Sequence, residues 1–140
     1  MFKIAFSIAA LLTAEPAPAA QDGAVRQLLA AADQLFVGRA SNTGIEGFGD
    51  LKDGEDATFT LALRPGGQYF VVGVCDQDCS DLDLEARNSA GVELDSDYEV
   101  DDAPVLSFTA GRTGEVALDV LMSDCSAEPC RYGYRVYLAN

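Results

Sequence analysis

From Gly44 onward the apolar residues recur at every second position, a period that commits most of the chain to strands with one face in and one face out. Phe59, Leu61 and Leu63 alternate ahead of the turn Arg64-Pro65-Gly66-Gly67. Gln68 to Cys75 is instead a nearly unbroken valine-rich run, which predicts a central strand covered on both faces. Leu82, Leu84 and Ala86 are set against Asp81, Asp83 and Glu85, so the next strand is expected to be half buried with an acidic outer face. Shorter apolar runs at Val92 and Leu94, Val105 to Thr109, Glu115 to Met122 and Tyr132 to Leu138 complete the series. Seven to eight short strands, separated by turn residues about every 8–12 positions, point to an all-β fold: an antiparallel β-sandwich of the jelly-roll or Greek-key kind.

Ahead of the strands the period is different. Val25, Leu28, Leu29, Ala32, Leu35 and Phe36 fall on one stripe of a helix over Ala24 to Phe36, with Asp22 placed to cap it and Gly38 to end it. Burial of Leu28, Leu29, Leu35 and Phe36 against the sandwich is the expected fate of that stripe. Residues 1–20 read as a signal peptide: Lys3 is the basic start, Ile4 to Leu12 the apolar stretch, and Ala17-Pro18-Ala19 the small residues at the cut. The apolar stretch is far shorter than the roughly 20 residues that span a bilayer, so no stable membrane insertion is expected after cleavage. The organisation expected is thus a signal peptide (1–20), an N-terminal amphipathic helix and linker (21–43) and a β-sandwich domain (44–140). A periplasmic or secreted location follows from that signal.

Four cysteines in an exported chain imply two disulfides, because an oxidising compartment lets them form and persist. Three pairings are open. Cys75 with Cys79 and Cys125 with Cys130 each bracket a turn at a strand end, and these local links are the expected ones. A cross-link between the two loops is the rival, since the strands leading into them run the same way. A Cys-rich zinc site fits the CxxxC and CxxxxC spacings only loosely.

Loss of Lys3 and Glu15 with the signal leaves eight basic residues, 22 acids and a net charge of −14. Nucleic acid and anionic lipid are disfavoured as partners, since binding either one relies on basic side chains to replace counterions. The acids are also concentrated: Asp76 to Asp102 holds eleven of them against the single base Arg87. There is no histidine in the chain, which removes the usual base for Ser or Cys nucleophiles.

Several short motifs occur in a recognisable order. Gly47-Phe48-Gly49-Asp50-Leu51, Phe59-Thr60-Leu61, Gly67-Gln68-Tyr69-Phe70-Val71-Val72, Asp81-Leu82-Asp83-Leu84, Gly91 and Thr113-Gly114 together resemble the bacterial pre-peptidase C-terminal domain over about residues 47–138. The resemblance implies a jelly-roll-like sandwich acting as a non-catalytic accessory or binding module, in a family where some members bind calcium. The four cysteines depart from that pattern, and the expected form is a free-standing copy without a protease beside it.

Calcium suits the acids on chemical grounds as well, because it takes six to eight oxygen ligands. The candidate metal ligands are Asp76, Asp78, Asp81 and Asp83, with Asp101 and Asp102 from a neighbouring loop. No EF-hand is present: counted from Asp76, position six is Asp81 where glycine is needed, and position twelve is Arg87 where glutamate is needed. The function expected is therefore an exported, non-catalytic binding or stabilising module, calcium-dependent through these acids, with a protein or glycan partner that the residues do not name. A small secreted hydrolase using paired carboxylates is the alternative, and so is a carbohydrate-binding module stacking sugars on Tyr69, Tyr132, Tyr134 and Tyr137.

Overall fold

A computed structural model describes residues 22–140, so the segment read as a signal peptide lies outside the described residues. The helix α1 (Gly23–Asp33) continues through a 3₁₀ turn at Gln34–Phe36. Eight strands follow: β1 (Ala40–Leu51), β2 (Asp56–Ala62), β3 (Gln68–Cys75), β4 (Cys79–Asn88), β5 (Glu93–Asp97), β6 (Val105–Thr109), β7 (Glu115–Cys125) and β8 (Cys130–Ala139). They form two four-stranded antiparallel sheets, ordered β1-β8-β3-β6 and β2-β7-β4-β5. Every connection except β4 to β5 crosses from one sheet to the other, which is the interleaving of a jelly roll.

The β1 strand has no clear alternation, because Ser41, Asn42, Thr43 and three glycines occupy it, and it straddles the 43/44 position where the sequence divides linker from sandwich. Backbone pairing with β8 holds it in place, with a bulge between Asn42 and Glu46. At that bulge Gly44 adopts φ +82°, and the Asn42 side chain accepts its N–H.

Two cores share the first sheet. Its inner face (Tyr69, Val71, Leu106, Tyr132, Tyr134, Val136) meets Leu82, Leu84, Val116, Leu118, Val120 and Met122 of the second sheet. Its outer face (Val72, Val74, Tyr137) is covered by Val25, Leu29, Ala32 and Phe36 of the helical segment. This is why β3 carries an unbroken apolar run. At about 1.5–3 kcal/mol per large buried side chain, Val25, Leu29 and Phe36 hold the helix down firmly.

Charged pairs fix where it sits. Arg131 Nε donates to Asp22 at 2.7 Å, Arg135 pairs with Asp33 at 2.9 Å, and the Tyr137 hydroxyl donates to Asp33 at 2.6 Å. Gly133 permits the close approach, since a Cβ there would lie 2.7 Å from Val25.

Two expectations about the helix need correction. Leu28 and Leu35 are exposed instead of buried, because the ion pairs to β8 rotate the Val25–Leu29–Ala32–Phe36 line onto the sheet. Asp22 makes no side-chain cap; its carboxylate is taken by Arg131. Among the described residues no helix is long and apolar enough to cross a membrane.

Candidate cation site on the acidic sheet

Both disulfides close locally, Cys75 to Cys79 and Cys125 to Cys130, and no cysteine is free. Two such bonds fit a chain that matures in an oxidising environment. The acids around the first loop then separate into two groups by what they do.

Asp76 and Asp78 belong to the loop itself. Asp76 accepts the N–H of Asp78 with one oxygen and that of Arg131 with the other, so both oxygens are occupied in tying the loop to β8. Asp78 receives Ser126 at its backbone carbonyl, which links the two disulfide loops. Asp102 is exposed, and its carbonyl faces the Cys75 sulfur. These three do not join the remaining candidates in a common ligand set.

Asp81 and Asp83 do come together. Asp83 lies on the outer face of the second sheet with Glu85 and Asp119, and the register of β4 against β7 slips at Asp81, which stays close enough to feel the Asp83 charge. Asp83 is only 6% exposed; its Oδ2 accepts the Ser123 hydroxyl at 2.5 Å, while its Oδ1 is buried with no partner. Asp81 Oδ1 is likewise buried and unpartnered. Burial, then the charge and hydrogen bond of Asp83, raise the Asp81 carboxyl above its ordinary pKa of 3.8, and Asp101 and Asp124 add to the effect. Buried oxygens without a hydrogen donor are costly to desolvate, and two facing carboxylates cost more. A cation between them would relieve both terms.

Asp101 connects this pair to a second group. Its carbonyl accepts the N–H of Leu82, and its carboxylate lies with those of Asp97 and Glu99, all within 4.8 Å of one another. Part of that second group is committed to the backbone. Asp97 accepts the N–H of both Val105 and Glu99, and Asp101 accepts that of Ala103. Asp97, Glu99 and Asp124 stand outside the ligand set that the sequence suggests. The spacing of Asp97, Glu99 and Asp101 at alternate positions was a readable signal, whereas Asp124 joins only through its register with Asp81 across β4 and β7.

Beside the pair lies an open depression of about 240 Å³, lined by Asp56, Asp83, Glu85, Tyr98, Asp119 and Leu121. Arg87 neutralises Asp119 at 2.6 Å. The Tyr98 hydroxyl donates to Glu85, and that bond, with burial and the Glu85 charge, pushes its pKa up to about 12. The four tyrosines considered for sugar stacking are elsewhere and are buried, Tyr69, Tyr132 and Tyr134 in the main core and Tyr137 under the helix, so none offers a ring face to a ligand.

No family model matches the chain, and no curated protein matches it. Among solved structures, the P-domain of Macrobrachium rosenbergii nodavirus is similar over 72% of this chain and 98% of that one, at 13% identity and a TM-score of 0.34, too slight a likeness to carry an argument.

Proposed function

We propose that the protein is an exported, non-catalytic binding or stabilising module whose acidic sheet takes a divalent cation, calcium, at Asp81 and Asp83. The observation that carries this reading is the pair of buried carboxylate oxygens with no hydrogen-bond donor. Hard oxygen ligands suit calcium, and a compartment that forms disulfides is one where calcium can be plentiful. The charges of Asp101 and Asp124 reach Asp81, while the Asp101 carboxylate itself groups with Asp97 and Glu99. Resemblance to the pre-peptidase C-terminal family supports the accessory role.

Thermal unfolding in millimolar calcium chloride, against sodium chloride of equal ionic strength, tests the reading. Binding to the folded state alone stabilises by about 2.7 kcal/mol at a hundred times the dissociation constant, whereas screening acts on all surface charge without a site. The calcium-specific rise should vanish in Asp83→Asn. Equal shifts from the two salts would refute a cation site.

A further inference from the structure

The apolar stripe of α1 is wider than the face it buries. Leu28 and Leu35 remain 46% and 65% exposed, side by side with a groove of about 320 Å³. Val72 and Val74 of β3 form its floor, Leu28, Ala31 and Leu35 one wall, and Val105 of the edge strand β6 the other. Two large aliphatic side chains left in water beside an apolar groove mark a contact surface.

The neighbouring groups restrict what can fill it. Addition of a strand to β6 is closed, because the outward N–H groups of Val105 and Ser107 already donate to Asp97 and Asp95. An occupant must therefore engage through side chains. At Leu28 the groove opens into a second depression lined by Gln27, Asp76 and Asp102, and no basic residue lines either one. A second copy of this chain would bring another −14 of charge to the contact, and an anionic lipid surface is opposed for the same reason.

We propose that this groove receives a cationic amphipathic helix from a partner protein, its apolar side chains seated between α1 and β6 and its Lys or Arg side chains toward the acidic end at Asp102. Helix-in-groove recognition uses such a row of apolar anchors with a charged flank. The surface lies on the opposite sheet from the acid pair and does not depend on calcium.

The test uses the full chain and a fluorescein-labelled amphipathic Leu/Lys peptide of about five helical turns, followed by anisotropy at roughly physiological salt. Saturable binding is expected, weakened by about tenfold or more in Leu28→Gln/Leu35→Gln, with melting temperature and net charge unchanged. A Leu/Glu peptide of the same pattern should not bind. Undiminished binding by the double variant would show that charge alone attracts the peptide and would overturn the proposal. A reversible dimer lost on the same substitutions, or binding to phosphatidylcholine vesicles lost on them in the absence of peptide binding, would assign the surface to a second copy or to a membrane and overturn it too.

Discussion

Cys79 and Cys125 stand directly opposite each other in the register of β4 and β7, yet each is bonded to a cysteine of its own loop. Facing residues of an antiparallel pair have Cα atoms about 4.5–5.5 Å apart, well within the reach of a disulfide. Proximity alone therefore does not decide the pairing; the short loops bring Cys75 and Cys130 to their partners first. Peptide mapping without reduction should recover only the two local links. In Cys75→Ala/Cys130→Ala the two remaining thiols should bond across the sheet, seen as a loss of titratable thiol and a peptide joining residues 79 and 125. Removal of either native pair should cost about 2 kcal/mol by the chain-entropy estimate for so short a loop.

Phe36 ties the end of the helical segment to the sheet. Its ring stacks on Tyr137 at 4.4 Å and lies 5.3 Å from Phe70. Phe36→Ala should destabilise the protein by about 3–5 kcal/mol, the range for emptying a buried aromatic site. Hydrogen exchange should show α1 losing protection before β3 and β8; equal loss everywhere would mean that the helix and sandwich open as one unit.

Alkaline pH should act through the buried phenols, Tyr137 with Tyr132 and Tyr134, all of which are raised by burial. At Tyr137 burial, then the hydrogen bond to Asp33, raise the phenol above its ordinary 10.0. The folded state thus holds this proton more tightly than the unfolded chain. Its contribution is fully present below about pH 10 and is lost as pH rises from there through the folded value. Urea midpoints measured from about pH 8 to about pH 11 should fall, and Tyr137→Phe should flatten that fall while costing about 1 kcal/mol at neutral pH. An unchanged slope in the variant would assign the alkaline sensitivity to other groups.

Asp95 and Asp97 close the open side of β6. Their carboxylates accept the N–H groups of Ser107 and Val105, at 2.7 and 3.0 Å, where a further strand would otherwise attach. Asp95→Ala/Asp97→Ala should lower stability by about 1 kcal/mol per lost bond and should produce larger species in sedimentation velocity. A strictly unchanged sedimentation coefficient at high concentration would show that the edge is protected by other means.

Much of the acid density thus has a backbone purpose that composition does not disclose. The sequence pattern does disclose the acidic outer face of β4, though not the slip of register against β7 at Asp81, and it discloses the double burial of β3. It misassigns Leu28 and Leu35, since they lie at one edge of the helix stripe and the rotation is set by Arg131 and Arg135, about a hundred residues away. Asp76 looks like a ligand from its neighbours alone, but both of its oxygens serve the loop. Strand β1 is hard to read because an edge strand held by pairing to β8 needs few apolar side chains.

The position of β8, the last strand in chain order, has a consequence for folding. It lies between β1 and β3, supplies Tyr132, Tyr134 and Val136 to one core and Tyr137 to the other, and anchors both ends of the helix. Until its residues are present, β1 lacks its sheet partner, Asp22 and Asp33 lack Arg131 and Arg135, and neither core is complete. A polypeptide wired this way stays open while it is being made and closes late through long-range contacts. That delay leaves both sheets without a shared centre until the final stretch of chain arrives.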